Sequence, residues 1–157
     1  MICSLLEREK DQKTDVNSII QQINLLLKEG NSKMSEIEME EGNTPLHLAF
    51  KYMMQPSLID HLLLNKAELT ERNFKAKTPF HLGIENQNLT LKFLKFMIEK
   101  KCDPKKSDAR GNNALHLFAK NKLRVIKKKY KKKQINSKQK QIYLKKKKSS
   151  YFLKIYW

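Results

Sequence analysis

The 157 residues suffice for one modest domain and an appendage, and a balance of 39% apolar to 31% charged residues argues against a wholly disordered chain. Four Gly and four Pro exclude collagen-like and Pro-rich low-complexity classes, and no apolar run approaches the roughly 18–20 residues of a membrane span. The net charge of +17 is lopsided: residues 122–157 hold 15 of the 33 Lys and Arg and no acid, leaving 18 basic against 16 acidic residues upstream.

The N-terminal stretch MICSLLEREK turns charged within seven residues and lacks the apolar core of a signal peptide, so the expected compartment is cytoplasm or nucleus. Cys3 and Cys102 are far apart and outside any Cys-x-x-Cys or Cys/His pattern, which predicts two reduced thiols and no metal site. Asp15 is placed to cap a helix running through Ile19, Ile20, Ile23, Leu26 and Leu27 and ending at Lys28-Glu29-Gly30. Residues 1–38 therefore read as an N-terminal helical cap or degenerate repeat.

The segment GNTPLHLA at 42–49 returns as AKTPFHLG at 76–83 and as GNNALHLF at 111–118, setting His47, His81 and His116 at intervals of 34 and 35 residues. Thr44 and Thr78 can cap a helix start, and Pro45 and Pro79 suit its first turn, where a missing N–H costs nothing. Gly42 and Gly111 suit a turn of positive φ, so Ala76 in the same place predicts a turn that is strained or reshaped. Asn113-Ala114 replaces Thr-Pro and weakens the third start. A second helical pattern follows the first two starts, over 57–64 and 90–98, with apolar residues at i, i+3, i+4.

These segments resemble the ankyrin repeat, whose hallmark is a Gly-x-Thr-Pro-Leu-His-x-Ala start at a period near 33 residues. The resemblance implies an all-α solenoid of about three helix–turn–helix repeats over 39–121, divided as 39–72, 73–107 and a partial 108–121. It further implies histidines that hydrogen-bond within and between repeats, no cofactor and no metal. Phe50, Ile84 and Phe118 stand where the family has small residues between paired helices, so packing there must be looser or rearranged. No Gly-rich phosphate loop, Ser-His-Asp or Cys-His set is present, and histidines 34 residues apart on parallel units do not converge. The implied role is a non-enzymatic protein-binding module or scaffold.

By the same resemblance, partner contacts come from the loop tips, Glu40, Glu41, Asn43, Lys75, Lys77, Arg110 and Asn112, and from the outward positions Lys51, Tyr52, Glu85, Asn86 and Lys120. Tyr52 is the best single anchor, since an exposed aromatic supplies rigid contact area. Cys102-Asp103-Pro104, the run from Asp108 to Leu117, and a longer link between Ala49 and Leu62 are similar to the IκB-type inhibitors. That likeness implies, as an alternative, a truncated inhibitor that sequesters a Rel-type transcription factor.

The third repeat enters Lys-rich sequence where a second helix is due, with Leu123, Ile126 and Tyr130 as its only apolar stripe and Lys129 at a core position. Residues 122–157 form a basic tail, disordered or partly helical. Its clusters Lys127, Lys128, Lys129 and Lys131, Lys132, Lys133 fit nuclear targeting, phosphate binding on nucleic acid, or an anionic membrane surface. Its lack of Gly, Ala, Pro, Thr, Asp and Glu equally resembles translated A/T-rich noncoding DNA.

Overall fold

Seven helices and the turns between them account for the regular structure of the described residues, 1–10, 15–30 and 33–123 of a computed structural model. By contact the chain divides into Met1–Asn121 and Lys122–Trp157, and of the second unit only Lys122 and Leu123 are described. The helices are α1 (Ile2–Arg8), α2 (Val16–Lys28), α3 (Pro45–Lys51), α4 (Pro56–Leu64), α5 (Pro79–Glu85), α6 (Leu91–Glu99) and α7, which opens at 114 and is described as far as 123. None is long and apolar enough to cross a membrane.

The helices stand in two rows: α1 packs on α3 and α3 on α5, while α2 packs on α4. α2 begins after Asp15 and stops before Gly30 at φ +69°, the span read from its periodicity, although the Asp15 side chain makes no cap hydrogen bond. α1 was not foreseen in the N-terminal stretch. It buries Ile2, Cys3, Leu5 and Leu6, an i, i+3, i+4 stripe, and the Cys3 N–H at its start donates to Glu36 Oε1 at 2.9 Å. Both thiols are buried, and burial pushes each up to about 12, so they remain protonated and inert.

α3 and α5 begin alike because Thr44 and Thr78 are extended and Pro45 and Pro79 open the helix. Three helices stop alike, on a left-handed residue that is not glycine: Met53 (φ +50°), Lys66 (φ +68°) and Lys101 (φ +60°). Behind each, an N–H reaches back over a full turn: Met54 to the Ala49 carbonyl at 2.9 Å, Ala67 to Leu62 at 3.0 Å, Cys102 to Met97 at 3.3 Å. The link between α3 and α4 runs over 52–55 and that between α5 and α6 over 86–90.

The bulky residues are absorbed by rearrangement. Phe50 is fully buried and meets the Phe93 ring edge-on at 6.0 Å. Gly83 makes the space, since a Cβ there would lie 2.7 Å from Met97 Sδ and 3.4 Å from Phe50 Cδ1. Ile84 is buried and Phe118 half-buried.

Candidate protein-binding surface

Three loops, 38–43, 73–77 and 108–112, precede the three motif helices, and each is built around one side-chain acceptor. Glu38 Oε2 accepts the N–H of Glu40 at 2.6 Å, and its Oε1 accepts those of Glu41 at 2.9 Å and Asn43 at 3.0 Å. Asn73 Oδ1 accepts the N–H groups of Lys75 and Lys77, both at 3.0 Å. Asp108 Oδ1 accepts those of Arg110 and Asn112, both at 2.9 Å. A positive φ closes each loop, at Gly42 (+71°), Ala76 (+53°) and Gly111 (+74°), so of the two alternatives at Ala76 the turn is strained and keeps its left-handed residue. Burial works against the charge of Glu38 and Asp108, but these backbone donors outweigh it and hold both carboxyls below the ordinary range.

The loops are stitched to one another. Phe74 N–H donates to the Glu41 carbonyl at 2.9 Å, and Ala109 N–H to the Lys75 carbonyl at 3.0 Å. Asn73 Nδ2 donates to Asn43 Oδ1 at 2.8 Å, and the Arg72 guanidinium bridges the Ala76 and Ser107 carbonyls at 2.9 and 2.8 Å. From beneath, His47 Nε2 reaches the Lys77 carbonyl at 2.8 Å and His81 Nε2 the Lys106 carbonyl at 2.9 Å. Sequence reasoning missed Glu38, Asn73 and Asp108 as loop anchors. Their signal was an acceptor side chain recurring every 35 residues, hidden by three different residue types.

The predicted contact residues separate into two sets. Glu40, Lys75 and Arg110 are exposed on the loops, Lys75 in an ion pair with Glu41, and Lys120 is exposed on α7. The others are occupied by the fold. Asn43 is 1% exposed and joins two loops, which corrects its placement at a tip. Asn112 Nδ2 closes on the Asp108 carboxylate at 3.2 Å, and Asn86 Nδ2 donates to the Lys51 carbonyl at 2.6 Å. Tyr52 is half-buried against the core, not an exposed anchor, and burial pushes its hydroxyl up. Lys77 pairs with both oxygens of Glu85, at 2.7 and 2.6 Å. Glu41 sits between Lys75 and Lys51, and the Lys75 hydrogen bond, then that of Asn43, lowers its carboxyl to about 2.

His116 departs from its two counterparts. It is exposed, and its Nδ1 meets Asn113 Oδ1 at 2.7 Å. Its counterparts are buried because the following loop covers them; no carbonyl among the described residues does this for His116. Leu115 likewise is 74% exposed where Leu46 and Phe80 are buried. Of the Lys-rich stripe, Leu123 is described and exposed, while Ile126, Tyr130 and the clusters Lys127, Lys128, Lys129, Lys131, Lys132 and Lys133 lie outside the described residues. Among the described residues no group of His, Cys, Asp and Glu is arranged to hold a metal ion.

No family model matches the chain, and no curated protein matches it.

Proposed function

We propose that residues 39–121 form an ankyrin-type helical stack that acts, without catalysis, as a binding module for another protein. The observation that carries this reading is the stitched row of loops. Each loop is held internally by its own anchor and externally by the next loop, so the row offers side chains whose backbone is already ordered. Pre-ordered backbone lowers the entropic cost of association, which is the principal expense of binding through loops. The phased TPLH-like motifs and the buried, doubly bonded His47 and His81 support the family assignment.

The exposed charges Glu40, Lys75 and Arg110 stand one on each loop and set an acidic-to-basic gradient along the row. The test uses the full chain to capture a partner from extract of its source, followed by affinity measurement on the purified pair. The double variant Glu40→Lys, Arg110→Glu is expected to lose at least tenfold in affinity with an unchanged melting temperature. Unchanged affinity in that variant would overturn the assignment of this face.

A further inference from the structure

Away from the loops, α4 and α6 do not approach as closely as α2 and α4 do. An open groove of about 430 Å3 lies between the turn at 53–55 that leads into α4 and the helix α6. Its floor is Met53, Met54, Phe93 and Phe96, and its rim carries Lys92 and Lys95. Phe50, fully buried on α3, meets Phe93 edge-on, and Phe93 in turn lies 6.0 Å from Phe96 on the same helix, so the aromatic floor is anchored in the core. The groove is separate from the loop row, because Met53 and Met54 follow α3 whereas loop 38–43 precedes it.

We infer that this groove is a second docking site, for an acidic segment of a partner protein bearing bulky apolar side chains. Two features select that occupant. The floor pairs aromatic rings with methionines, whose flexible thioethers adapt to an inserted apolar side chain. The rim is cationic: Lys92 and Lys95 are exposed and have no ion-pair partner among the described residues, whereas Lys100 at the far end of α6 is committed to Asp60 and lies over the Phe96 ring at 5.2 Å. Glu99, the one acid on the rim, stands at that same far end, so an incoming carboxylate meets the two free ammonium groups first. The volume lies in the roughly 300–1,000 Å3 range of well-formed sites, room for a few anchoring side chains and not for a folded domain.

The experiment uses the full chain with 13C-methyl-labelled methionine and a synthetic 15-residue helix-forming peptide carrying two Leu at i, i+4 flanked by Glu. Two counterparts replace its Leu by Ala or its Glu by Lys. The acidic Leu peptide is expected to shift the Met53 and Met54 methyl resonances saturably, and Lys92→Glu with Lys95→Glu is expected to weaken it at least tenfold. Those two lysines are exposed, so a matching melting temperature checks the fold. The Lys-bearing peptide should bind this double variant better than it binds the parent. The inference is overturned if the Ala peptide shifts the same methyls equally, if the acidic peptide leaves Met53 and Met54 unmoved, or if the double variant binds as before. Failure here leaves the loop-face reading untouched, since the loops carry neither the methionines nor the two lysines.

Discussion

His47 Nε2 donates to the carbonyl of Lys77, 2.8 Å away and 30 residues on in sequence, while His47 Nδ1 accepts the N–H of Thr44 at 3.2 Å. A carbonyl can only accept and an amide N–H can only donate, so the pair of bonds assigns one species, the neutral ring with its proton on Nε2. His81 repeats the arrangement with the Thr78 N–H at 3.1 Å and the Lys106 carbonyl at 2.9 Å. Each imidazole thereby ties a helix start to the next loop, and a second proton at Nδ1 would face an N–H.

Stability should therefore fall as the pH drops from neutral toward 5. Burial lowers both imidazoles below their ordinary value, against the opposing pull of the acceptor carbonyls. The unfolded chain takes up protons near pH 6.5 that the folded chain refuses, so the stabilisation is complete above about that pH and is lost as pH falls below it. The urea midpoint is expected to be level from pH 8 to 7 and to decline toward pH 5. Glu71, raised by burial and then by Glu68, works in the opposite sense at the acid end of that window. The reference is thus the variant His47→Gln, His81→Gln, which should be less stable at pH 8 but flatter below 7. An equal slope in both proteins would refute the assignment.

Removing a loop anchor should cost more than removing any exposed loop charge. Asp108→Ala strips two backbone N–H groups of their acceptor, for about 1–3 kcal/mol. Asp108→Asn keeps an acceptor oxygen in place, as Asn73 does in the middle loop, and should lose less than half as much. Chemical denaturation of both variants decides between an anchoring role and a merely electrostatic one, which Asn would not rescue.

The periodic part of this architecture was legible because it is written in similar residues at fixed spacing. Thr44-Pro45 and Thr78-Pro79 mark helix starts by local chemistry, and Gly42, Ala76 and Gly111 mark turns by conformational need. What escaped depends on who the neighbour is. His116 carries the same local motif as His47 yet is exposed, since burial of that position comes from the next loop and not from its own helix. Asn43 and Tyr52 look like surface residues by type, and only the packing of loop on loop and of α3 on the core makes them structural. The groove beside α6 brings Met53 and Met54 together with Phe93 and Phe96, residues far apart in sequence.

Relieving left-handed strain should stabilise the domain. Lys66, Lys101 and Ala76 hold φ of +68°, +60° and +53°. A non-glycine residue there costs roughly 1–2 kcal/mol, offset in a Gly variant by about 0.5–1 kcal/mol of added unfolded-state entropy. Each of Lys66→Gly, Lys101→Gly and Ala76→Gly is expected to gain up to about 1 kcal/mol, and Lys66→Gly with Lys101→Gly to add, being at separate helix ends. Gly111→Ala supplies the converse. A Cβ there meets nothing within 4 Å, so its loss in melting temperature would report backbone strain alone.

Phe50 and Gly83 should prove energetically coupled. Phe50→Ala removes a fully buried ring and is expected to cost about 3–5 kcal/mol, a large share of the 5–15 kcal/mol typical of a domain. Gly83→Ala alone places a methyl against Met97 Sδ at 2.7 Å and Phe50 Cδ1 at 3.4 Å; the thioether can move, so the cost is smaller, about 1–3 kcal/mol. In the double variant the cavity left by the ring gives Met97 somewhere to go and the new methyl something to fill. The combined loss should fall short of the two single losses by at least about 0.5 kcal/mol. A double-mutant cycle by urea denaturation measures the difference. Strict additivity would mean that Gly83 serves the helix for reasons other than room for Phe50 and Met97.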